Sequence, residues 1–414
     1  MICGLSAIAG SITVALESMQ TAANKVEHLY VHVPFCAAKC NYCAFYSEAG
    51  SAAKMGDYVD AVVKELELVT ANLVRGGVGG REDVPPVQPT TVFFGGGTPS
   101  LLPTPLMRRL LAAVAGTTNG LPAGGTDVPA CEWTIECNPS TVSTEKAKLF
   151  REFGVNRISM GVQALNDDLL QRIGRIHTVA AAVGSYEKLR RAGFENINLD
   201  LMFGLPGQTM DHWRATLRRA IQLQPEHVST YCLILEEDTP FWSLLGQGAI
   251  KPDDELELAL YETAIETLAA AGYRQYEVSN FARPGRECRH NIAYWEGKDY
   301  LGLGPSACST VGHHRWQNLP DLNAYIESLV RPAGPVGRVP VADEEQLTPE
   351  LRAAERAAFG MRMNAGVPVD LVRGRWDKQI AGLLSAELVQ WRNGRLAPTK
   401  RGLLFADEVA AEFL

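Results

Sequence analysis

The sequence lacks any long apolar run and has no excess of basic residues. No stretch of its 414 residues approaches the roughly 18 consecutive apolar side chains that a membrane-spanning helix needs, so we expect no transmembrane segment. Lys and Arg number 39 against 47 Asp and Glu, which gives a net charge of −8. Proteins that bind nucleic acid concentrate positive charge to neutralise phosphates. The composition therefore argues against a nucleic-acid partner.

The first residues, MICGLSAIAGSITVALESM, contain neither Lys nor Arg. A secretory signal peptide needs a basic N-terminal region, and a mitochondrial presequence needs arginines. We expect residues 1–25 to form a flexible extension ahead of a fold that starts near Val26. Translation could begin at Met1 or at Met19. These features predict a cytoplasmic protein.

The nine cysteines do not have the pattern of a disulfide framework. Their number is odd, and outside one short cluster they are mostly scattered along the chain. Small secreted proteins instead carry even numbers of cysteines that pair with one another. The pattern favours a reducing compartment, with free thiols and a metal site.

Short apolar runs alternate with segments of helical periodicity from about Val26 onward. A strand followed by a helix, repeated about six times, predicts a mostly parallel sheet with crossover helices. We therefore expect an α/β fold, a partial (β/α)6 TIM-like barrel over residues 26–310, with its chemistry at the C-terminal ends of the strands. The predicted strands are residues 29–33, 91–95, 132–137, 157–162, 197–203 and 228–235.

The last part of the chain predicts a smaller unit. Residues 311–345 are expected to be a connecting segment and linker, because 331–350 is rich in Pro, Gly and charge. Residues 346–414 contain patterns for a helix, a second helix through Trp391, a hairpin and a final helix, which predict a winged-helix-like domain. Its basic residues permit a minor alternative, a nucleic-acid regulator, although fold alone does not imply function. These basic residues are Arg392, Arg395, Lys400 and Arg401.

Cys36, Cys40 and Cys43 lie within eight residues, directly after the first predicted strand. Three thiolates on a four-iron cluster leave one iron without a protein ligand, open to a small molecule. A structural zinc ion is the competing interpretation, but it would need a fourth ligand. The spacing and its context favour an iron–sulfur cluster.

The CxxxCxxC motif, with Tyr42 before its third cysteine, resembles the radical S-adenosylmethionine (SAM) superfamily. The resemblance implies that the three cysteines hold a [4Fe-4S] cluster whose open iron chelates SAM, and that Tyr42 packs near the adenine. The segment FFGGGTPS follows the second predicted strand and resembles the GGGTP motif of these proteins. That motif implies contacts from Gly96, Gly97 and Thr98 to the SAM amino group.

Further motifs over roughly residues 26–410 are similar to the family of oxygen-independent coproporphyrinogen III oxidases (HemN) and its heme-chaperone branch, HemW. They include LYVHVPFC, ECNP, RISMGVQ, IGRIHT, NLDLMFGLPGQT and LGLGPSA. Carboxylates can accept hydrogen bonds from ribose hydroxyls or an amine, and Arg can pair with the SAM carboxylate. The SAM contacts that the resemblance implies are Tyr30, Glu136, Gln163, Arg175 and Asp200, with Ile234 and Cys308 as backbone contacts to the adenine.

Two features favour the heme-chaperone branch over the oxidases. The oxidases have CxxxCxxCxC, whereas this chain has Phe45 at the last position, and it carries the HNxxYW motif of the other branch from His290 to Trp295. Histidine is a frequent axial ligand of heme iron, and aromatic rings stack on porphyrins. The resemblance therefore implies heme contacts from His290, Tyr294 and Trp295. Lesser candidates are Arg289 for a propionate and Cys288, His313 and His314 for the iron.

The function that the sequence predicts is a heme chaperone that carries a SAM-coordinating [4Fe-4S] cluster. The resemblance implies heme as ligand, hemoproteins as recipients, an electron donor and a homodimer. The alternative is the oxidase itself, which decarboxylates coproporphyrinogen propionates by radical chemistry. Whether the chain is an enzyme is left open by the sequence.

Overall fold

The structure, a computed structural model, describes residues 25–72, 87–117, 131–332 and 339–414. The predicted N-terminal extension, residues 1–25, lies outside these ranges except for its last residue. No helix in the described ranges is both long and apolar enough to cross a bilayer.

Six parallel strands form the centre of the molecule, and each pairs with the next along the chain. They are β1 (Val26–Val33), β2 (Val87–Gly96), β3 (Glu132–Cys137), β4 (Arg157–Gln163), β5 (Ile197–Phe203) and β6 (His227–Cys232). The short strands β7 (Arg274–Gln275) and β8 (Asn280–Ala282) extend the β6 edge antiparallel, and β9 (Leu301–Leu303) pairs with β1 in parallel. The sheet ends at β7 and β9 without closing, so the predicted α/β fold with a partial (β/α)6 barrel is confirmed.

In the described ranges, six α-helices cross over between the parallel strands, and two more follow β6. They are α1 (Ala52–Asn72), α2 (Thr104–Ala115), α3 (Thr144–Glu152), α4 (Asp167–Arg172), α5 (Val179–Arg191), α6 (Met210–Gln222), α7 (Pro240–Gly246) and α8 (Asp254–Ala270). Several begin at a Ser or Thr whose hydroxyl accepts a free backbone N–H, as Ser143, Thr178 and Thr209 do. Such caps fix where each helix starts, and therefore how long each strand-to-helix loop can be.

A second, antiparallel sheet follows the barrel. Its strands are β10 (Cys308–Val311), β11 (His314–Asn318) and β12 (Val341–Gln346), and the helices nearby are α9 (Arg289–Trp295) and α10 (Leu322–Val330). The predicted linker over 331–350 therefore contains a strand, β12. Five of the six side chains of β12 are exposed, so the strand has no buried face and its charged sequence gives no alternating apolar pattern.

The C-terminal part has the predicted winged-helix-like arrangement of short helices and a three-stranded antiparallel sheet. Its elements are α11 (Pro349–Gly360), β13 (Val367–Pro368), α12 (Val369–Val372), α13 (Asp377–Ser385), β14 (Val389–Arg392), β15 (Arg395–Pro398), α14 (Lys400–Leu404) and α15 (Ala406–Ala411). The helix predicted through Trp391 ends at Ser385, because Glu387 takes a left-handed conformation with φ 58°. The predicted last helix is interrupted at Phe405.

The apolar interior is divided between the barrel and the C-terminal part. One large core includes buried residues from Val26 to Leu329, and a further cluster in the barrel includes residues from Ala164 to Phe241. A separate smaller core includes residues from Ala357 to Phe413, which supports a division of the chain near residue 346. The boundaries 26–310, 311–345 and 346–414 remain predictions.

Candidate functional site

A cavity of about 860 Å³ opens at the C-terminal ends of the parallel strands. Every residue predicted to contact the cluster or SAM lines this cavity, and so do the three main heme candidates. They are Tyr30, Cys36, Cys40, Tyr42, Cys43, Gly96, Gly97, Thr98, Glu136, Gln163, Arg175, Asp200, Ile234, His290, Tyr294, Trp295 and Cys308. The fold thus brings together motifs that are up to 278 residues apart in the sequence, from Tyr30 to Cys308. Whether each one makes the predicted contact is a separate question.

The three clustered cysteines lie on the loop that follows β1. The base of the loop is fixed by backbone hydrogen bonds from Cys36 N to Glu48 O (3.0 Å) and from Glu48 N to Pro34 O (2.7 Å). The Cys36 thiol lies 3.6 Å from Thr98 Oγ1, and Arg175 donates to Cys40 Sγ over 3.5 Å. The loop therefore connects to the β2 and β4 ends through the sulfur atoms themselves.

The three thiols have the character that a cluster requires. All three are free and partly exposed within the cavity. In the described ranges, no three Cys, His, Asp or Glu side chains converge on a point that could hold a single metal ion. A four-iron cluster takes its thiolates on different iron atoms, so spaced cysteines on one loop suit it better than they suit zinc.

The glycines of GGGTP are required by close packing against the end of β1. A Cβ at Gly97 would lie 2.7 Å from the Phe35 carbonyl oxygen, and Gly96 has φ 103°, a conformation that L side chains rarely adopt. Gly97 N donates to Val33 O (2.9 Å) and Thr98 N donates to Phe35 O (2.7 Å). The turn can therefore bring bare backbone next to the cysteine loop.

Two carboxylates in the cavity have raised pKa values. Burial, followed by the charge of Asp200, raises the pKa of Glu136 to about 8. Burial also raises the pKa of Asp200, although Ser159 (3.0 Å) and Asn198 (2.7 Å) donate to its carboxylate. Two carboxylates that lie close together are costly to ionise at the same time. A cationic or hydroxyl-rich ligand that enters the cavity therefore stabilises the pair.

Arg175 lies beside the cysteine loop and is oriented by the end of β4. One of its amino groups donates to Gly161 O over 2.8 Å and the other donates to Cys40 Sγ. Gln163, the last residue of β4, has φ 66°, a strained conformation for a non-glycine residue that is common at ligand sites. The end of β4 is thus shaped to turn polar side chains into the cavity.

His290 lies near the start of α9 and is surrounded on several sides. Its Nδ1 is 2.9 Å from Thr91 Oγ1, and its ring stacks on Phe93 with centroids 5.1 Å apart. Burial lowers its pKa to about 3, aided by the nearby His28 and Arg157, so the imidazole is neutral. With Nδ1 hydrogen-bonded, Nε2 is the nitrogen left to meet a ligand.

Glu132, at the start of β3, holds the N-terminal end of α9. Its carboxylate accepts hydrogen bonds from the backbone N–H groups of Arg289 and His290, both over 3.1 Å, and from Cys288 Sγ over 3.6 Å. Cys288 is fully buried by these contacts and does not line the cavity, and neither do Arg289, His313 or His314. The structure therefore does not place these lesser heme candidates at the site.

Tyr294 and Trp295 connect the cavity to the C-terminal part. Tyr294 remains 42 % exposed and stacks on Phe359 of α11 with centroids 5.7 Å apart. The Arg362 guanidinium lies over the Trp295 ring at 5.1 Å. One side of the HNxxYW helix therefore faces the cavity, and its end packs against a different unit of the fold.

The sequence analysis missed several cavity residues. Phe93 and Arg157 line the cavity, and Glu132 and Thr91 orient the His290 helix without lining it. A signal for Arg157 was present, since a charged residue opens the otherwise apolar strand RISMGVQ. Thr91 and Glu132 gave no signal, because their role depends on contacts with residues more than 150 positions away.

Comparisons with known proteins agree with this geometry. A model of the radical SAM superfamily matches residues 30–220. The heme chaperone HemW of Bacillus subtilis is 34 % identical over 394 residues, covering 93 % of this chain and 98 % of that protein. HemW of Escherichia coli is 39 % identical over 284 residues, covering 68 % and 70 %. The solved structure of E. coli coproporphyrinogen III oxidase HemN, a radical SAM enzyme, has a TM-score of 0.76 and 24 % identity, covering 97 % of this chain and 93 % of HemN, which establishes the shared fold. The chain belongs to the HemW family of radical SAM proteins.

Proposed function

We propose that this protein is a heme chaperone, which binds heme in the barrel cavity and delivers it to recipient hemoproteins. The observation that carries the proposal is the position of His290, which faces the same cavity as the three clustered cysteines. A neutral imidazole of this kind suits heme iron. Relatives that are 34–39 % identical carry the name heme chaperone, which supports the assignment.

The radical SAM family implies a [4Fe-4S] cluster and SAM. Cys36, Cys40 and Cys43 would hold the cluster, which supplies an open iron for SAM and an electron for its cleavage. Arg175 is in position to pair with the SAM carboxylate, and the Gly96–Thr98 turn offers backbone groups to its amino group. Glu136 and Asp200 would accept hydrogen bonds from the ribose or the amine. The remaining SAM contacts proposed are Tyr30, Tyr42, Gln163, Ile234 and Cys308.

The heme site that we propose centres on α9. His290 would ligate the iron through Nε2, while Thr91 and Phe93 hold its ring in place. Tyr294 is exposed enough to stack on a porphyrin face. Trp295 lines the same cavity and would limit how far the porphyrin enters.

The oxidase alternative is supported by the fold that this chain shares with HemN, and fold alone does not imply function. Phe45, which stands where the oxidases have a further cysteine, is 71 % exposed at the cavity lining. An exposed apolar side chain there suits the flat apolar face of a porphyrin. We therefore place the chaperone function first.

The remaining partners are also proposals. We infer a cytoplasmic protein that receives electrons from a separate donor and forms a homodimer. A nucleic-acid role for the C-terminal part is less favoured, because its arginines are engaged within the fold. Arg395 donates to Ala365 O (2.9 Å) and to Gly366 O (2.6 Å), and Arg392 donates to Asn364 O.

An anaerobic hemin titration followed by absorbance tests the heme site. We expect His290→Ala to weaken hemin binding at least tenfold, because the iron loses its axial ligand. His313→Ala is the matched control, since this exposed histidine does not line the cavity. Equal affinities of the two variants would rule out His290 as the ligand.

A further inference from the structure

Arg157 is a buried cation that faces the cavity, and no partner of its own is found among the described residues. It is the first residue of β4, is 2 % exposed and lines the cavity. Its Nε has no hydrogen-bond partner in the described part of the chain, and no carboxylate there lies within ion-pair distance. A buried arginine in this condition is unusual, because a buried charge is costly unless it is paired and hydrogen-bonded.

The acids nearest to Arg157 do not satisfy its N–H groups. Burial acts to lower the pKa of Arg157, but Cys288, Glu132, Tyr276 and Asp200 together raise it above its ordinary value. The Glu132 oxygens already accept from the start of α9. The Asp200 oxygens already accept from Ser159 and Asn198. The hydrogen-bond donors of Arg157 therefore remain available to a ligand.

We propose that Arg157 binds a carboxylate of the ligand that occupies the cavity. A guanidinium presents N–H groups in a planar fork that matches a carboxylate in a bidentate geometry. The low-dielectric surroundings strengthen such a pair, and the ligand removes the cost of the unsatisfied donors.

The source of this carboxylate is a heme propionate, an assignment that rests on the proposed function. Arg157 and His290 line one cavity and are close enough for the arginine's charge to act on the imidazole. A porphyrin held by His290 therefore carries its carboxylates into the region that Arg157 faces. The amino-acid end of SAM offers the same chemistry, but Arg175 already lies beside the cysteine loop for that group.

A double-mutant cycle between protein and ligand tests the assignment. Hemin and hemin dimethyl ester, which lacks the propionate charges, are titrated into the full-length, cluster-containing wild type and Arg157→Gln. We expect Arg157→Gln to weaken hemin binding about 10- to 100-fold and to leave ester binding unchanged. SAM and decarboxylated SAM are titrated in parallel. If Arg157→Gln loses affinity for SAM alone, the carboxylate that Arg157 binds is that of SAM.

Several outcomes would overturn the proposal. Unchanged affinity for all four ligands would mean that Arg157 binds no carboxylate, and equal losses for hemin and its ester would mean that it only supports the fold. Arg108→Gln, at an exposed arginine outside the cavity lining, is the control.

If Arg157→Gln fails to fold, the wild type alone still tests the proposal, because equal binding of hemin and its ester excludes a propionate contact. Failure of the wild type to bind hemin at all would instead refute the proposed function, and the SAM pair would then test Arg157 separately.

Discussion

A single threonine hydroxyl connects two histidines beside the proposed heme site. Thr91 Oγ1 lies 2.9 Å from His290 Nδ1 and 2.9 Å from His28 Nδ1. The hydroxyl has one hydrogen, so it can donate to only one of the two nitrogens. If His290 meets iron through Nε2, its proton must lie on Nδ1 and be donated to Thr91, which then donates to His28. Thr91 would thus fix the tautomer that binds metal.

We expect Thr91→Val to weaken hemin binding about tenfold, because the His290 tautomer and ring orientation lose their support. Thr91→Ser keeps the hydroxyl and should keep most of the affinity. The measurement is a hemin titration of both variants. A loss of the same size in Thr91→Ser would assign the effect to packing of this 1 % exposed side chain rather than to the hydrogen bonds.

SAM binding should depend on pH through Glu136. Its pKa is raised from its ordinary value of 4.5 to about 8, so the folded chain favours the protonated carboxyl group. The contribution of this group to the stability of the fold is therefore lost as the pH rises from about 4.5 through about 8. A ligand that needs the carboxylate must remove this proton. We expect SAM affinity to rise by up to about tenfold per pH unit between pH 6 and pH 8.

The control for this pH dependence is Glu136→Gln, which cannot titrate. Isothermal titration calorimetry in buffers with different ionisation enthalpies measures the proton released on SAM binding. The variant should release less than the wild type below pH 8. An identical pH profile in the two proteins would show that Glu136 does not ionise when SAM binds.

At the scale of elements, the turn after β2 and the loop after β1 form one unit. The Gly97 and Thr98 amides donate to carbonyls of residues 33–35, and Thr98 Oγ1 contacts the Cys36 thiol. The cysteine loop therefore depends on the backbone path of GGGTP as well as on its own sequence. A substitution in that turn should therefore also affect binding of the cluster.

We expect Gly97→Ala to lower the free energy of unfolding by about 1–3 kcal/mol and to reduce iron incorporation, since its Cβ would lie 2.7 Å from Phe35 O. Gly184→Ala in α5 is the matched control, because in the described part of the chain no atom beyond the adjoining residues and backbone of its own helix lies within 4 Å of its added Cβ. Iron content and thermal unfolding of both variants check this. Full iron loading of Gly97→Ala would contradict the proposed coupling.

The strands whose ends were predicted most closely are those with nearly continuous burial. β3 and β5 begin and end where the apolar runs do, because nearly every side chain in them is buried. β12 was missed because its sequence VADEEQ is exposed and charged. Sequence periodicity reports which face of an element is buried, so an element without a buried face leaves no pattern.

Only part of the candidate site could be predicted from the sequence. Motifs located the cavity residues that their families share, from Cys36 to His290. No role was predicted for Arg157 or Glu132, because the role of each depends on which strands and helices lie beside it in the folded barrel. A lone buried arginine can be recognised as unpartnered only when its neighbours are known in three dimensions.

At the scale of the whole molecule, the C-terminal part packs on the helix that carries His290. Tyr294 stacks on Phe359, and Arg352 pairs with Asp299 over 2.9 Å. A backbone bridge also joins Glu277 to Met363. We therefore expect heme bound at α9 to stabilise the C-terminal part.

We expect hemin to slow amide hydrogen exchange in α11, which contacts α9 directly, because a bound ligand stabilises the conformation that binds it. The control segment is α13, which shares the smaller core with α11 but does not supply Phe359, the ring that stacks on Tyr294. Hydrogen–deuterium exchange followed by mass spectrometry, with and without hemin, measures both. Unchanged exchange in α11 would show that heme binding is not communicated to the C-terminal part.

The most direct test of the central claim compares heme binding with oxidase turnover in one anaerobic preparation. The full-length chain with its reconstituted cluster is titrated with hemin, and a parallel sample receives coproporphyrinogen III, SAM and a reductant. Our account predicts one hemin bound per chain and no conversion of coproporphyrinogen. Formation of protoporphyrinogen would contradict it, and would show that a chain with Phe45 in place of the oxidases' additional cysteine can carry out the decarboxylation.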